Sequence, residues 1–307
     1  MAACGRTADG ESGSGTDTTS HEAATAAEPF TPGSTPAGWL YRITFTPDGD
    51  TAYYTVSDGF FPANRRSTIH RVTRDAAGTW GEPHVASFSG EFTDIDPFVT
   101  PDGQRLFFSS IRPDTDGERR DLDIFYVERT AAGWSEPVRL GPEVNSPQDE
   151  LYASMDDAGT LFFACGPLAP GPGAGWDIYT AAPAGAGFAP RQPLEAVNTT
   201  GEWDPDNPTA DWEFNPEVSR DGRTLVFTSL RPGGFGLGDL YVSHRHADGW
   251  STPVNLGPLV NTGHDEFHPT LSPDGDTLYF ARTVTAPDVV PSRFHRIPLD
   301  RLPVMRR

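Results

Sequence analysis

One turn recurs five times at nearly constant spacing, and that repetition restricts the fold more than any other feature of the chain. Pro47-Asp48-Gly49 is followed by Pro101-Asp102-Gly103, Asp157-Ala158-Gly159, Arg220-Asp221-Gly222 and Pro273-Asp274-Gly275, at intervals of 54, 56, 63 and 53 residues. Asp-Gly between two apolar runs marks a hairpin, because glycine accepts a positive φ without steric cost. After each turn comes a short β-rich run, as in Leu106-Phe107-Phe108 and Leu225-Val226-Phe227. A variable loop and a third run follow, as in Asp123-Ile124-Phe125 and Asp239-Leu240-Tyr241. In four copies a further turn then ends in an aromatic, at Trp80, Trp134, Phe188 and Trp250, and leads into a fourth short run such as 136–140.

Four hairpinned strands per unit of roughly 40–55 residues are the mark of a propeller blade. Blades bury their faces against one another, so the ring must close. After Ile297 the last unit has no fourth run. The segment Glu28-Pro29-Phe30-Thr31-Pro32, ahead of the first unit, resembles Glu136-Pro137-Val138 and is expected to supply the missing strand. The expected fold is therefore all-β: a single β-propeller of five four-stranded blades over residues 28–300, closed by an N-terminal strand, with 301–307 as a C-terminal tail. A sixth blade would need about 40 more residues than can be found.

Composition narrows the function classes. The chain has 307 residues, a formal net charge of −20 and no lysine. That is a poor match for the phosphate backbone of nucleic acids or for anionic lipid surfaces. No apolar run is long enough to span a membrane. Two cysteines make a disulfide framework improbable, and Cys165 at the end of an apolar run reads as a buried thiol. Residues 1–27 lack apolar periodicity and read as a disordered tether. Within it, Ala2-Ala3-Cys4-Gly5 resembles the cleavage end of a bacterial lipoprotein signal, in which the cysteine becomes lipidated. The basic and apolar parts of such a signal are missing, so a truncated start is one reading and a chance cysteine the other.

Three stretches carry a family resemblance. They are Ser229-Leu230-Arg231-Pro232-Gly233-Gly234, Gly238-Asp239-Leu240-Tyr241-Val242 and Gly249-Trp250-Ser251-Thr252-Pro253-Val254-Asn255-Leu256-Gly257, each recurring in degraded form ahead of a Pro-Asp-Gly turn. Together they resemble the TolB-type, WD-like propeller repeats of bacterial envelope proteins, over about residues 38–297. Blades 1 and 3 depart most: blade 1 lacks the acidic strand start, and blade 3 has no Arg-Pro-Gly-Gly loop. The resemblance implies a periplasmic or surface protein, lipid-anchored if Cys4 is modified. It further implies a non-enzymatic module, expected to be a monomer, that binds another envelope protein or a cell-wall glycan.

Aligning the innermost strands by their turns exposes candidate site residues. Seven positions before the turn the row reads Leu40, Asp94, Glu150, Glu213, Glu266; five before, Arg42, Asp96, Tyr152, Asn215, His268; three before, Thr44, Phe98, Ser154, Glu217, Thr270. The intervening positions are mostly apolar. A period of two then predicts that the apolar set packs between blades while the polar set faces a central channel. The channel ring would comprise Asp94, Glu150, Glu213 and Glu266 with Arg42, Asp96 and His268. Such carboxylates could cap backbone amides, hold Ca²⁺ at Glu150, Glu213 and Glu266, or act as acid and base. The last option resembles the five-bladed propeller glycosidases, which would imply a pair such as Glu150 and Glu266 about 5–10 Å apart. No cofactor is otherwise expected. The longer loops return to the rim where the innermost strands start and bring Trp176, Trp203, Trp212 and Phe235 there, the natural place for a binding face. No nucleophile elbow, Walker loop, dinucleotide fingerprint or zinc motif is present.

Overall fold

A computed structural model describes residues 26–34, 36–59, 66–113, 121–167, 175–200, 204–284 and 290–306. Cys4, the tether up to residue 25 and Trp203 lie outside the described residues.

The repeats form five blades of antiparallel strands in sequence order. The innermost strands are Trp39–Phe45, Asp94–Val99, Asp149–Met155, Glu213–Val218 and Asp265–Leu271. Each is hairpinned to a second strand through its glycine turn, Asp-Gly in four blades and Asp157-Ala158-Gly159 in blade 3. In four of those turns the aspartate accepts from a Thr or Ser hydroxyl two residues earlier; Asp48 takes Thr46 Oγ1 at 2.6 Å and the Asp50 amide at 3.0 Å. The glycine adopts the left-handed φ that the turn requires, 72° at Gly49 and 69° at Gly103.

Ring closure follows the expectation. Glu28–Phe30 pairs antiparallel with Val290–Pro298, placing Phe30 opposite Phe294 and Glu28 opposite Arg296. Five apolar clusters lie between successive blades, so the core is distributed around the ring. Tyr53 and Ile69 pack on Leu106 and Phe108; Phe107 on Phe163; Phe162 on Phe227; Val226 on Phe280; Phe267 and Phe294 on Ile43 and Tyr54. Burying each such phenylalanine contributes about 1.5–3 kcal/mol. A repeated amide braces the blades' outer parts: Asn145, Asn198 and Asn261 each bond the backbone N–H and C=O of a third-strand residue, Ile124, Ile178 and Leu240.

The chain end departs from a loose tail. Leu299–Arg301 and Pro303–Met305 form two 3₁₀ turns, Leu302 is buried against blades 4 and 5, and His244 Nε2 meets the Val304 carbonyl at 2.9 Å. Among the described residues no helix is long and apolar enough to cross a membrane.

Because the latch strand supplies the last blade's outer edge, weakening it should open the ring. Phe30 packs on Tyr279 with ring centroids 4.9 Å apart. Phe30→Ala should cost about 1–3 kcal/mol, read as a fall in the thermal midpoint of a few degrees. An unchanged midpoint would show that the latch is dispensable.

Candidate functional site

Every innermost strand breaks register partway along its length. The ladder to the second strand skips between Ile95 and Phe98, Leu151 and Ser154, Phe214 and Glu217, and Phe267 and Thr270, with a shorter skip between Tyr41 and Ile43 in blade 1. The first residue of each longer bulge is left-handed although none is glycine: Asp96 (φ 56°), Tyr152 (65°), Asn215 (53°) and His268 (52°). Such residues typically cost about 1–3 kcal/mol each and persist only where the surroundings impose them. Asp, Asn and His tolerate this region better than most side chains. The second bulge residue is Pro97, Pro216 or Pro269 in three blades, and proline cannot donate to a ladder.

The bulge reverses which side of the strand faces inward. On the strand-start side, the row expected between blades, Tyr41, Ile95, Leu151, Phe214 and Phe267, lines a cup at the channel mouth. Trp176, Trp212 and Leu237 complete its wall, with Asp96, Tyr152 and His268 also lining it, and its volume is about 340 Å³. Of the four rim aromatics, Trp176 and Trp212 meet there with ring centroids 6.4 Å apart. Phe235 is exposed but does not line the cup.

The expected ring of acidic strand starts is corrected by the same reversal. Asp94, Glu150, Glu213 and Glu266 are buried in separate clasps. Each is bonded to an arginine that also reaches a backbone carbonyl preceding its blade. Arg112 links Asp94 (2.7 Å) to Phe88 O, Arg191 links Glu150 (2.9 Å) to Val144 O, Arg231 links Glu213 (3.1 Å) to Val197 O, and Arg282 links Glu266 (2.6 Å) to Val260 O. The Thr199 and Thr262 amides and hydroxyls donate to Glu213 and Glu266, and Ser146 does so to Glu150. Blade 3 lacks the loop arginine and takes Arg191 from just ahead of its fourth strand. Burial raises the carboxyls of Asp94, Glu150 and Glu266 above the usual range, and the arginine and hydroxyl bonds oppose it. Among the described residues no three His, Cys, Asp or Glu side chains come together to hold a metal, and Glu150, Glu213 and Glu266 sit in separate clasps. Cys165 is a free, buried thiol pushed up to about 12 by burial and by the neighbouring Glu150.

The residues that do converge come from the other two rows. Arg42 is fully buried, and its Nη2 donates to Glu217 Oε2 at 2.6 Å, a pair that plugs the channel below the cup. Above it, Asp96 is 1% exposed, held through its backbone N–H to Thr55 Oγ1 at 2.9 Å. Neither Asp96 carboxyl oxygen has a hydrogen-bond partner among the described residues. His268 Nδ1 lies 3.3 Å from Asp96 Oδ1. That nitrogen has no proton to give: Asn215 Oδ1 accepts from the His268 amide and from Thr228 Oγ1, which turns the Asn215 Nδ2 donor onto His268 Nδ1 at 3.0 Å. Burial holds Asp96 up at about 7, with the Arg42 charge pulling the other way, and Glu217 likewise stands at about 7. Burial and the Arg42 charge keep His268 well below its ordinary value, hence neutral. Glu217, Tyr152 and Asn215 belong to the same two rows counted back from the turns. The prolines beside them were the available signal.

No protein-family model and no curated protein matches the chain. Solved structures do. An α-L-arabinofuranosidase from Lactobacillus brevis is 14% identical with a TM-score of 0.54, over 85% of this chain and 91% of that one. An α-L-arabinofuranosidase from Podospora anserina in complex with cellotriose is 11% identical with a TM-score of 0.51, over 90% and 97%. TolB from Acinetobacter baumannii is 13% identical with a TM-score of 0.47; the match covers 84% of this chain and 54% of TolB. The two arabinofuranosidases share the propeller fold, and at these identities the likeness extends to fold alone.

Two stability measurements separate clasp from cup. Arg231→Met leaves Glu213 buried without its counter-charge and should cost about 3–5 kcal/mol in urea unfolding, whereas Arg231→Met with Glu213→Met should recover most of it. Equal losses in both would deny the clasp. At Asp96 the sign is opposite. Its carboxyl stands at about 7 folded against an ordinary 3.8, so between these values the folded protein keeps a proton that the unfolded chain has lost. This group's contribution therefore declines as pH rises from about 4 to 7 and stays low above. Asp96→Asn should thus gain stability relative to the parent across that window, by up to a few kcal/mol. The depressed His268 acts in the opposite sense in both proteins and cancels in the difference. A pH-independent difference between the two melting curves would refute the assignment.

Proposed function

We propose that this protein is a recognition module, not an enzyme, and that it binds its partner through the strand-start face with the aromatic cup at the centre. The observation that carries this reading is the set of four left-handed, non-glycine residues beneath the cup. Strain of that kind is retained where surroundings impose it, and it concentrates at binding and catalytic sites. Here it sets Asp96 and His268 at the base of an aromatic wall, the usual form of a ligand pocket. The partner is another protein of the bacterial envelope or a cell-wall glycan, reached from a periplasmic or surface position through a lipid anchor at Cys4.

A glycosidase is the second reading, favoured by one observation: a desolvated carboxyl near neutrality, Asp96, suits a proton donor. The chemistry also needs a second carboxylate across the scissile bond. Glu217 lies behind Arg42 and is bonded to it, and Asp265, which lines the cup, accepts from the Gly238 amide. Release of sugar from an aryl arabinofuranoside, abolished by Asp96→Asn, would establish the enzymatic reading.

Leu237 offers a clean test, since it lines the cup yet is 69% exposed. Leu237→Arg should leave the unfolding free energy within about 0.5 kcal/mol of the parent and abolish capture of partners from an envelope fraction. Replacing Glu150, Glu213 and Glu266 by Gln should leave capture by the residual folded protein intact. Undiminished capture by Leu237→Arg would move the site elsewhere.

A further inference from the structure

We infer that the cup takes an organic cation, a primary or methylated ammonium on a short apolar stem. The inference rests on the cup being the recognition site and names the chemistry of its ligand.

Three observations lead to it. The first is the charge inventory at the channel centre. Arg42 and Glu217 neutralise each other at 2.6 Å, and His268 is neutral, with Asn215 donating to its Nδ1. Two acids line the cup: Asp265, which accepts from the Gly238 amide at 3.0 Å, and Asp96, neither of whose oxygens receives a hydrogen bond among the described residues. A buried carboxyl without donors is costly to keep ionised, and a cation with N–H or N–CH₃ groups is the species that would relieve it. Seating the cation breaks the Asp96 O–H bond: the proton leaves to solvent, and the carboxylate pairs with the ammonium.

The second observation is the wall. Tyr41, Tyr152, Trp176, Trp212, Phe214 and Phe267 surround the same space. Aromatic rings about an acid form the kind of cage that holds ammonium groups, because the ring quadrupole attracts a desolvated cation. The third is what the floor lacks. A neutral sugar needs several free donors and acceptors to replace its water, but Asn215 is bonded to His268 and to Thr228, and Trp212 Nε1 is a donor on the wall left unbonded among the described residues. An anion would meet Asp96 in a chain of net charge −20.

A free amine and a lysine side chain of a protein partner present the same group, and a volume of about 340 Å³ admits either as a short stem. The test is calorimetric titration of the full chain with n-butylammonium and with 1-butanol, its neutral counterpart. Nα-acetyl-lysine methylamide and its norleucine counterpart form a second pair. Each cation should bind at least about tenfold more tightly than its neutral counterpart. Asp96→Asn should erase the preference while keeping its fold, and Leu237→Arg, which brings its own cation to the mouth, should remove binding. A stronger response to the lysine derivative than to butylammonium supports a protein source; the reverse supports a small amine. Equal affinity for cation and alcohol, or no cation binding up to about 10 mM, overturns the inference. If a neutral glycan fragment then binds and Leu237→Arg abolishes it, the cup remains the recognition site and only its ligand chemistry is wrong.

Discussion

The break in each innermost strand sets the character of the whole channel. A regular strand would present one face inward from rim to rim. The bulge inserts residues that pair with nothing, and the phase of the strand changes across it. Above the break the inward row is aromatic and aliphatic, from Tyr41 round to Phe267; below it, Thr44, Phe98, Glu217 and Thr270 line the opposite mouth. At the break itself Asp96, Tyr152, Asn215 and His268 are turned toward the axis in a conformation that none of them would adopt unaided. Closure of the ring imposes it, since each blade is held by apolar clusters on both sides.

The same phase change sorts the carboxylates into two roles. Those at strand starts are turned away from the channel and become clasps, each with an arginine spanning its own blade and the preceding connection. Those at or below the break are left in the axis with one arginine among them. Arg42 satisfies Glu217 and so closes the channel, which leaves Asp96 as the floor of a cup rather than a station along a pore. The gap in the acidic row at Leu40 is where Ser292 bridges the Leu40 backbone instead, so that gap is packing.

Much of the architecture was legible in the chain because it is written locally and repeatedly. Asp-Gly turns at a steady interval fix blade count, and the kinship of Glu28–Phe30 with a fourth strand identifies the latch. The site was half legible. Rows counted back from each turn put Arg42, Asp96 and His268 at one level, and the structure holds the three close together. The inference about which rows face inward assumed an unbroken period of two, and that assumption fails at the bulge. Pro97, Pro216 and Pro269 announced it: a proline in a central strand cannot complete a ladder, and reading those prolines only as apolar residues hid the break. The clasps were hidden for another reason. In blades 2, 4 and 5 the arginine sits 16–18 residues on, across the first hairpin, and only in blade 3 does it come from 41 residues away, Arg191 to Glu150.

The central claim is that recognition happens at the strand-start mouth and not at the turn mouth across the Arg42–Glu217 plug. Site-specific photocross-linking in the source cells addresses it directly. A photoreactive residue at Leu237 would sit on the cup, and one at Asp221 on the opposite mouth. Adducts from position 237 that are absent from position 221 are the expected result. Adducts from 221 alone would place the binding face on the other side of the ring and contradict the reading.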